Sequence, residues 1–320
     1  MIEARNPRAE AAAMVPPGVT GLVLEPSLPV NHDPDWFADD PTAPAGATTV
    51  TPIPGEGRTW TDLAAVDPTV ADYAREHWLG NLADLEPIPD AHTETRRALH
   101  QLAFFALAPK RFSATGKLGL RYTHRGFGTP FFGDDEQVRV EAGTLVRQRA
   151  GSIDAIVPKT VGEAAAFLGL DYQTDWFTGF HDPLAPIDPE ERISIDPAAA
   201  DAIGAWFGFS THALERARRT PDARDVTRVQ LWPEHFDPAF EMGDQDEGRR
   251  ASYGASPGDD SHPAPYLYVA AWGELDRADP FWNAPAFNGA LLSYDDLLSA
   301  PDQMEAAVQF FASAHERLTT

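Results

Sequence analysis

The densest grouping of side chains able to do chemistry is Gln230-Leu231-Trp232-Pro233-Glu234-His235-Phe236-Asp237, followed by Glu241 and Asp244. Two residues apart in an extended chain, His235 and Asp237 point to the same side. That is the minimal geometry for an imidazole and a carboxylate to meet one substrate or one ion, and these two form the candidate catalytic pair. Pro233 disturbs strand pairing, so a competing reading ends the strand there and leaves His235 satisfying backbone groups.

A second grouping, Tyr253-Gly254-Ala255-Ser256-Pro257-Gly258-Asp259-Asp260-Ser261-His262-Pro263, reads as a turn-rich loop feeding a strand over residues 265–272. Glycine lets a backbone approach a ligand, while serine and aspartate supply donors and acceptors. Ser256 is a nucleophile only if folding brings His235 or His262 to it as a base. With His235 and Asp237, His262 completes a candidate metal-ligand set to which Asp259 or Asp260 can add a carboxylate. A third grouping, Tyr122, His124, Arg125 and the glycine-rich stretch after them, concentrates positive potential beside an apolar hairpin and suits a small-molecule carboxylate or phosphate. The candidate ligand-binding residues are therefore His124, Arg125, Trp232, Tyr253 and Ser256.

The chain has no cysteine, which removes disulfides and thiolate chemistry and leaves a divalent metal to His, Asp and Glu. No cofactor is firmly implied. The run from Gly254 to Gly258 lacks the Lys-Ser/Thr pair of a phosphate-binding loop, and no His-Glu-x-x-His or Gly-x-Gly-x-x-Gly motif occurs.

The elements that must position these groups alternate between helical and strand patterns. Residues 1–58 carry closely spaced prolines and read as an irregular arm, with one short apolar strand near 19–24. Trp60, Leu63, Val70, Tyr73, His77 and Trp78 predict a first helical region. A second helix is predicted over 93–107 and ended by Pro109. From 117 to 157 the period drops to two, with Leu118, Leu120 and Tyr122, then Val138 and Val140, then strands over 145–147 and 152–157. Their short connections leave no room for crossover helices and require antiparallel pairing.

Helices are predicted over 161–168 and 197–219. In the second, Asp196 caps the start, Pro197 opens it and Arg216, Arg218 and Arg219 suit its end, with Gly204 and Gly208 as points of interruption. Strands follow over 226–232 and 265–272, and a final helix over 301–318 shows Met304, Val308, Phe311 and Ala312 as an apolar stripe. The fold class is α+β: antiparallel sheet regions covered by helices, with a Pro-rich N-terminal arm. The body spans residues 59–320, either as one unit or as two lobes dividing near 185–195.

With 43% hydrophobic residues the chain can bury a large core. A formal net charge of −24 repels nucleic-acid phosphates and anionic membranes, so neither is an expected partner. No stretch approaches the ~20 apolar residues of a membrane span, and the first residues lack a signal-peptide pattern. A cytoplasmic setting is the expectation.

The run 118–167 with its central Gly-Thr-Pro-Phe-Phe-Gly, the segment 230–237 and the segment 253–259 resemble a widespread, functionally uncharacterised bacterial domain family frequent in actinobacteria. The resemblance covers about half to two thirds of the chain, without the arm, and is strongest over 231–237. It implies that the two strand regions form one functional unit and carries no catalytic residue onto this sequence. Three functions remain in play: a small-molecule binder with Tyr253, Trp232, His235 and His124 around one concavity, a metal-assisted hydrolase using His235, Asp237 and His262, or an interaction module using the arm.

Overall fold

A computed structural model describes residues 84–123, 125–129, 136–149, 152–172, 183–218, 220, 222–227 and 229–320, together with three short N-terminal strands. Those strands, β1 (Val23–Glu25), β2 (Thr49–Thr51) and β3 (Arg58–Thr59), pair antiparallel in that order. The helical region expected around 60–78, His124, the loop 130–135 and residues 173–182 lie outside the described residues.

The body is α+β, with two five-stranded antiparallel sheets flanked by helices. The first is a meander of β4 (Arg121–Thr123), β5 (Gly126–Gly128), β6 (Glu136–Glu141), β7 (Thr144–Arg149) and β8 (Ser152–Ile156). The second is a meander of β9 (Gln230–Trp232), β10 (Asp237–Met242), β11 (Ala251–Ser256), β12 (Tyr266–Ala271) and β13 (Gly289–Ser293). Their first strands meet edge to edge, where Leu120 and Leu231 exchange reciprocal backbone hydrogen bonds of 2.8 Å.

Helix α1 (His92–Leu102) runs through a π-helical turn (Ala103–Leu107) into α2 (Ala108–Thr115). Pro109 therefore does not end the helix, contrary to the sequence expectation. It has no N–H to offer the Phe105 carbonyl and its ring would crowd that oxygen in a regular helix. The wider π turn, which directly precedes α2, shifts the local hydrogen-bond pattern. After α3 (Val161–Phe167), capped by the Thr160 hydroxyl on the Glu163 N–H, comes α4 (Pro197–Ala217), whose Asp196 carboxylate accepts from the Ala199 N–H. This helix is unbroken. Gly204 is where the backbone of Arg125 and Gly126 crosses it, so close that a Cβ would lie 2.4 Å from the Arg125 carbonyl carbon. The chain ends with α5 (Tyr294–Ser299) and α6 (Gln303–Thr319).

Alternation along the second sheet divides its faces. Phe240, Met242, Ala251, Tyr253, Ala255, Leu267, Val269 and Ala290 are buried in one hydrophobic cluster with Phe207 of α4 and Phe311 of α6. Each large side chain so buried contributes about 1.5–3 kcal/mol. The intervening residues, Asp237, Ala239, Glu241, Ser252, Ser256, Tyr266, Tyr268 and Ala270, form the opposite face and line a cavity.

Candidate functional site

The cavity, about 490 Å³, is built on that face of the second sheet and flanked by Trp232 at the end of β9, by Glu234 and His235 of the β9–β10 turn, by Asp259 of the β11–β12 turn and by Phe287. Its position follows from a tight hairpin. Trp232 and Asp237 are cross-strand partners, and the four residues between them close a turn in which the Phe236 N–H donates to the Trp232 carbonyl at 2.7 Å. Phe236 takes a left-handed φ of 57°, which strains a residue with a Cβ. Its ring is 1% exposed and packs edge-on against Phe127 and Phe207, holding the turn down. From α1, the His100 Nε2 reaches the Pro233 and Glu234 carbonyls at 3.0 and 3.1 Å. Burial lowers His100 to a pKa of about 4, so the neutral ring donates that N–H to both oxygens.

Asp237 is the buried centre of the site. It is 4% exposed; Oδ2 accepts the Tyr268 hydroxyl at 2.5 Å, while Oδ1 has no hydrogen-bond partner. Burial raises the Asp237 pKa against the opposing pull of His235 and the Tyr268 hydrogen bond. Burial also raises Glu234, with Asp237 adding to the effect, and Oε2 of Glu234 is likewise buried without a partner. The Tyr268 hydroxyl is pushed well above the usual phenol range by burial and by Asp237. Tyr268 reaches Asp237 because its ring lies over Gly254, its cross-strand neighbour, where a Cβ would come within 2.3 Å of the ring.

The second turn is organised by Asp259. Its Oδ1 accepts the Ser261 and His262 N–H groups at 2.6 and 2.7 Å, and its Oδ2 accepts the Tyr266 hydroxyl at 2.7 Å. Asp260 faces α1, where Arg97 bonds it at 2.8 Å and Arg96 lies 3.6 Å away. Glu241 accepts from Arg250 at 2.7 Å.

No family model, curated protein or solved structure matches the chain.

Of the sequence candidates, Trp232, His235, Asp237 and Ser256 meet in one cavity, with His235 exposed and Asp237 buried. Tyr253 does not join them. It belongs to a strand rather than a loop, and its parity turns it into the core, stacked on Phe240 at 5.1 Å. Arg125 is also elsewhere: left-handed at φ 56°, it pairs its Nε with Asp201 of α4 at 2.7 Å. His235, Asp237 and His262 do not converge as a metal set, and among the described residues no group of three His, Asp or Glu side chains is placed to hold one. The His262 ring instead packs edge-on against Tyr266 at 5.3 Å, while Asp259 and Asp260 are committed to the turn amides, Tyr266 and the α1 arginines.

Gly254-Ala255-Ser256-Pro257-Gly258 has the Gly-x-Ser-x-Gly spacing of a nucleophile elbow, a motif that the sequence expectation counted as absent. It is not built as one. An elbow needs a strained serine between a strand and a helix, whereas Ser256 has no positive φ and ends a strand that leads into a turn. Its hydroxyl accepts the Gly258 N–H at 3.1 Å. The residues missed as site components are Glu234, Tyr266, Tyr268 and Phe287. The alternation of Tyr266, Tyr268 and Ala270 with Leu267, Val269 and Ala271 was the available signal for the two tyrosines.

Proposed function

We propose that the protein binds a small organic molecule in the cavity on the outer face of the second sheet, with Asp237 as the anchoring group. The observation that carries this reading is a buried carboxyl with one unpartnered oxygen in the wall of a ligand-sized cavity. Buried polar atoms are nearly always hydrogen-bonded, and an exception calls for a reason. A binding site supplies one, because the missing partner arrives with the ligand. Volume and lining agree: small-molecule sites run from about 300 to 1,000 Å³, with aromatic walls and a few converging polar groups. Trp232, Tyr266, Tyr268 and Phe287 provide those walls here.

The reading is tested by filling the cavity. Ala270 is a half-buried lining residue near the end of β12, so Ala270→Trp places an indole where the ligand would lie. In a ligand-observed NMR screen of a diverse fragment set, hits on the wild-type chain are expected to vanish in this variant. Hits that persist unchanged, or no hits on the wild type, would rule out the cavity as the binding site.

A further inference from the structure

We infer that the ligand is an organic cation carrying N–H donors, a protonated primary amine or a guanidine; this rests on the reading that the cavity binds a small molecule. Four carboxyls line it, from Glu234, Asp237, Glu241 and Asp259, and no Lys or Arg is among the lining residues. Arg250 neutralises Glu241, and Asp259 is occupied by its own turn and Tyr266. Glu234 and Asp237 are left, each with a buried oxygen that nothing donates to. What these two oxygens lack is a donor, and no Lys or Arg of the wall supplies a positive one.

Ligand carboxylates and phosphates meet repulsion here, and a neutral hydroxyl brings a single weak donor. An ammonium offers three donors and a guanidinium five, and charge-assisted bonds to carboxylates are about twice as strong as neutral ones. The rings of Trp232, Tyr266, Tyr268 and Phe287 add faces on which a cation is favoured over a neutral isostere. A bare metal ion fits less well, because no three carboxylate or imidazole side chains converge among the described residues. Both orphan oxygens are closed to bulk water as the side chains stand. The soft terminal torsions of Asp and Glu carboxylates let each turn an oxygen toward an arriving donor.

The experiment is a ligand-observed NMR screen of the full chain against matched fragments: primary amines and guanidines, their alcohol and amide isosteres, and their carboxylate counterparts. It is repeated on Asp237→Asn, Glu234→Gln and Ala270→Trp, with thermal melts to confirm folding. Zn²⁺, Mn²⁺ and Ca²⁺ are titrated separately by calorimetry. Cationic fragments are expected to dominate the hits, to bind about 10-fold or more tighter than their neutral isosteres, and to weaken by about that factor in Asp237→Asn. Glu234→Gln serves as the second readout if Asp237→Asn alters the fold. Neutral or carboxylate hits that Ala270→Trp removes would overturn the cation assignment and leave the binding cavity standing. Cationic hits untouched by both carboxyl variants, or a metal ion that binds alone, is lost in Asp237→Asn and displaces the fragments, would also overturn it. Absence of any hit sensitive to Ala270→Trp would sink the cavity reading with it.

Discussion

The Tyr268 hydroxyl donates to Asp237 Oδ2 at 2.5 Å, from two strands away and across the face of Gly254. The three residues act as one device: the glycine clears a path, the tyrosine crosses it and the carboxyl is held at the base of the cavity. Tyr268→Phe removes a side-chain donor to a buried carboxyl, and a loss of about 1–3 kcal/mol is expected in urea denaturation at pH 7. A double-mutant cycle with Asp237→Ala, which leaves no acceptor for the Tyr268 hydroxyl, separates this hydrogen bond from the packing of the ring. A coupling near zero would show that the two side chains are merely adjacent.

Gly254→Ala tests the same device from below. The new Cβ would meet the Tyr268 ring at 2.3 Å, and overpacking of this kind costs about 1–3 kcal/mol. The ring must lift and release Asp237. In the background of Tyr268→Ala, where no ring is present, the same substitution should be nearly neutral. Equal destabilisation in both backgrounds would place the strain in the backbone of β11 instead.

Asp237 should be held for function at the expense of stability. Its pKa is raised in the folded chain, so folding favours its protonated form, and its contribution to stability is lost as pH rises through that folded value. Asp237→Asn keeps an oxygen for Tyr268 and removes the buried charge. It should therefore stabilise the chain at pH 7 by about 1 kcal/mol, with the advantage shrinking as pH falls toward the ordinary carboxylate value of 3.8. Urea titrations at pH 7.5 and 5 measure this directly. A variant less stable than wild type at pH 7.5 would mean that the carboxylate is better solvated than its burial indicates.

How much of this was legible before folding depended on whether a residue's local chemistry also decided its surroundings. Asp196 before Pro197 announces a helix start whatever packs on it, and that cap is present. Asp237 and Trp232 lie in a segment whose polarity marks it. The strand Ala251–Ser256 was hidden because glycine and alanine are poor strand formers, and residue 254 is a glycine here for a tertiary reason, the Tyr268 ring over it. Once that strand was read as a loop, Tyr253 had no parity, and an aromatic of the core looked like a ligand contact. Pro109 misled in the opposite direction, since its local effect is absorbed by a π turn that depends on the packing of Ala103–Leu107. Glu234 lies in the same polar segment, but its significance is a missing partner, which only coordinates reveal.

The α1 histidines predict an acid limit to stability. Burial lowers both His92 and His100 from 6.5 to about 4, with Arg96 opposing protonation further. Both are neutral when folded, whereas the unfolded chain takes up their protons below 6.5. Their contribution is complete above that pH and is lost as pH falls toward 4, on the order of 3 kcal/mol for each. His100→Gln, which can still present an N–H to the Pro233 and Glu234 carbonyls, should flatten this part of the stability profile measured by urea melts at pH 7, 5.5 and 4.5. An unchanged slope in the variant would mean that His100 protonates in place.

The turn that carries Glu234 and His235 is held by a residue in a conformation it disfavours. At φ 57° Phe236 bears about 1–2 kcal/mol of strain that glycine would relieve. Its ring is buried against Phe127, Phe207 and the stacked His100, and truncating such a ring costs about 3–5 kcal/mol. Packing outweighs strain, so Phe236→Gly should destabilise the chain by about 1–4 kcal/mol despite the better backbone fit. Because the turn forms one wall of the cavity, cationic fragments should also bind the folded variant more weakly than wild type. A Phe236→Gly chain more stable than wild type in urea would show that strain, and not the aromatic cluster, governs the turn.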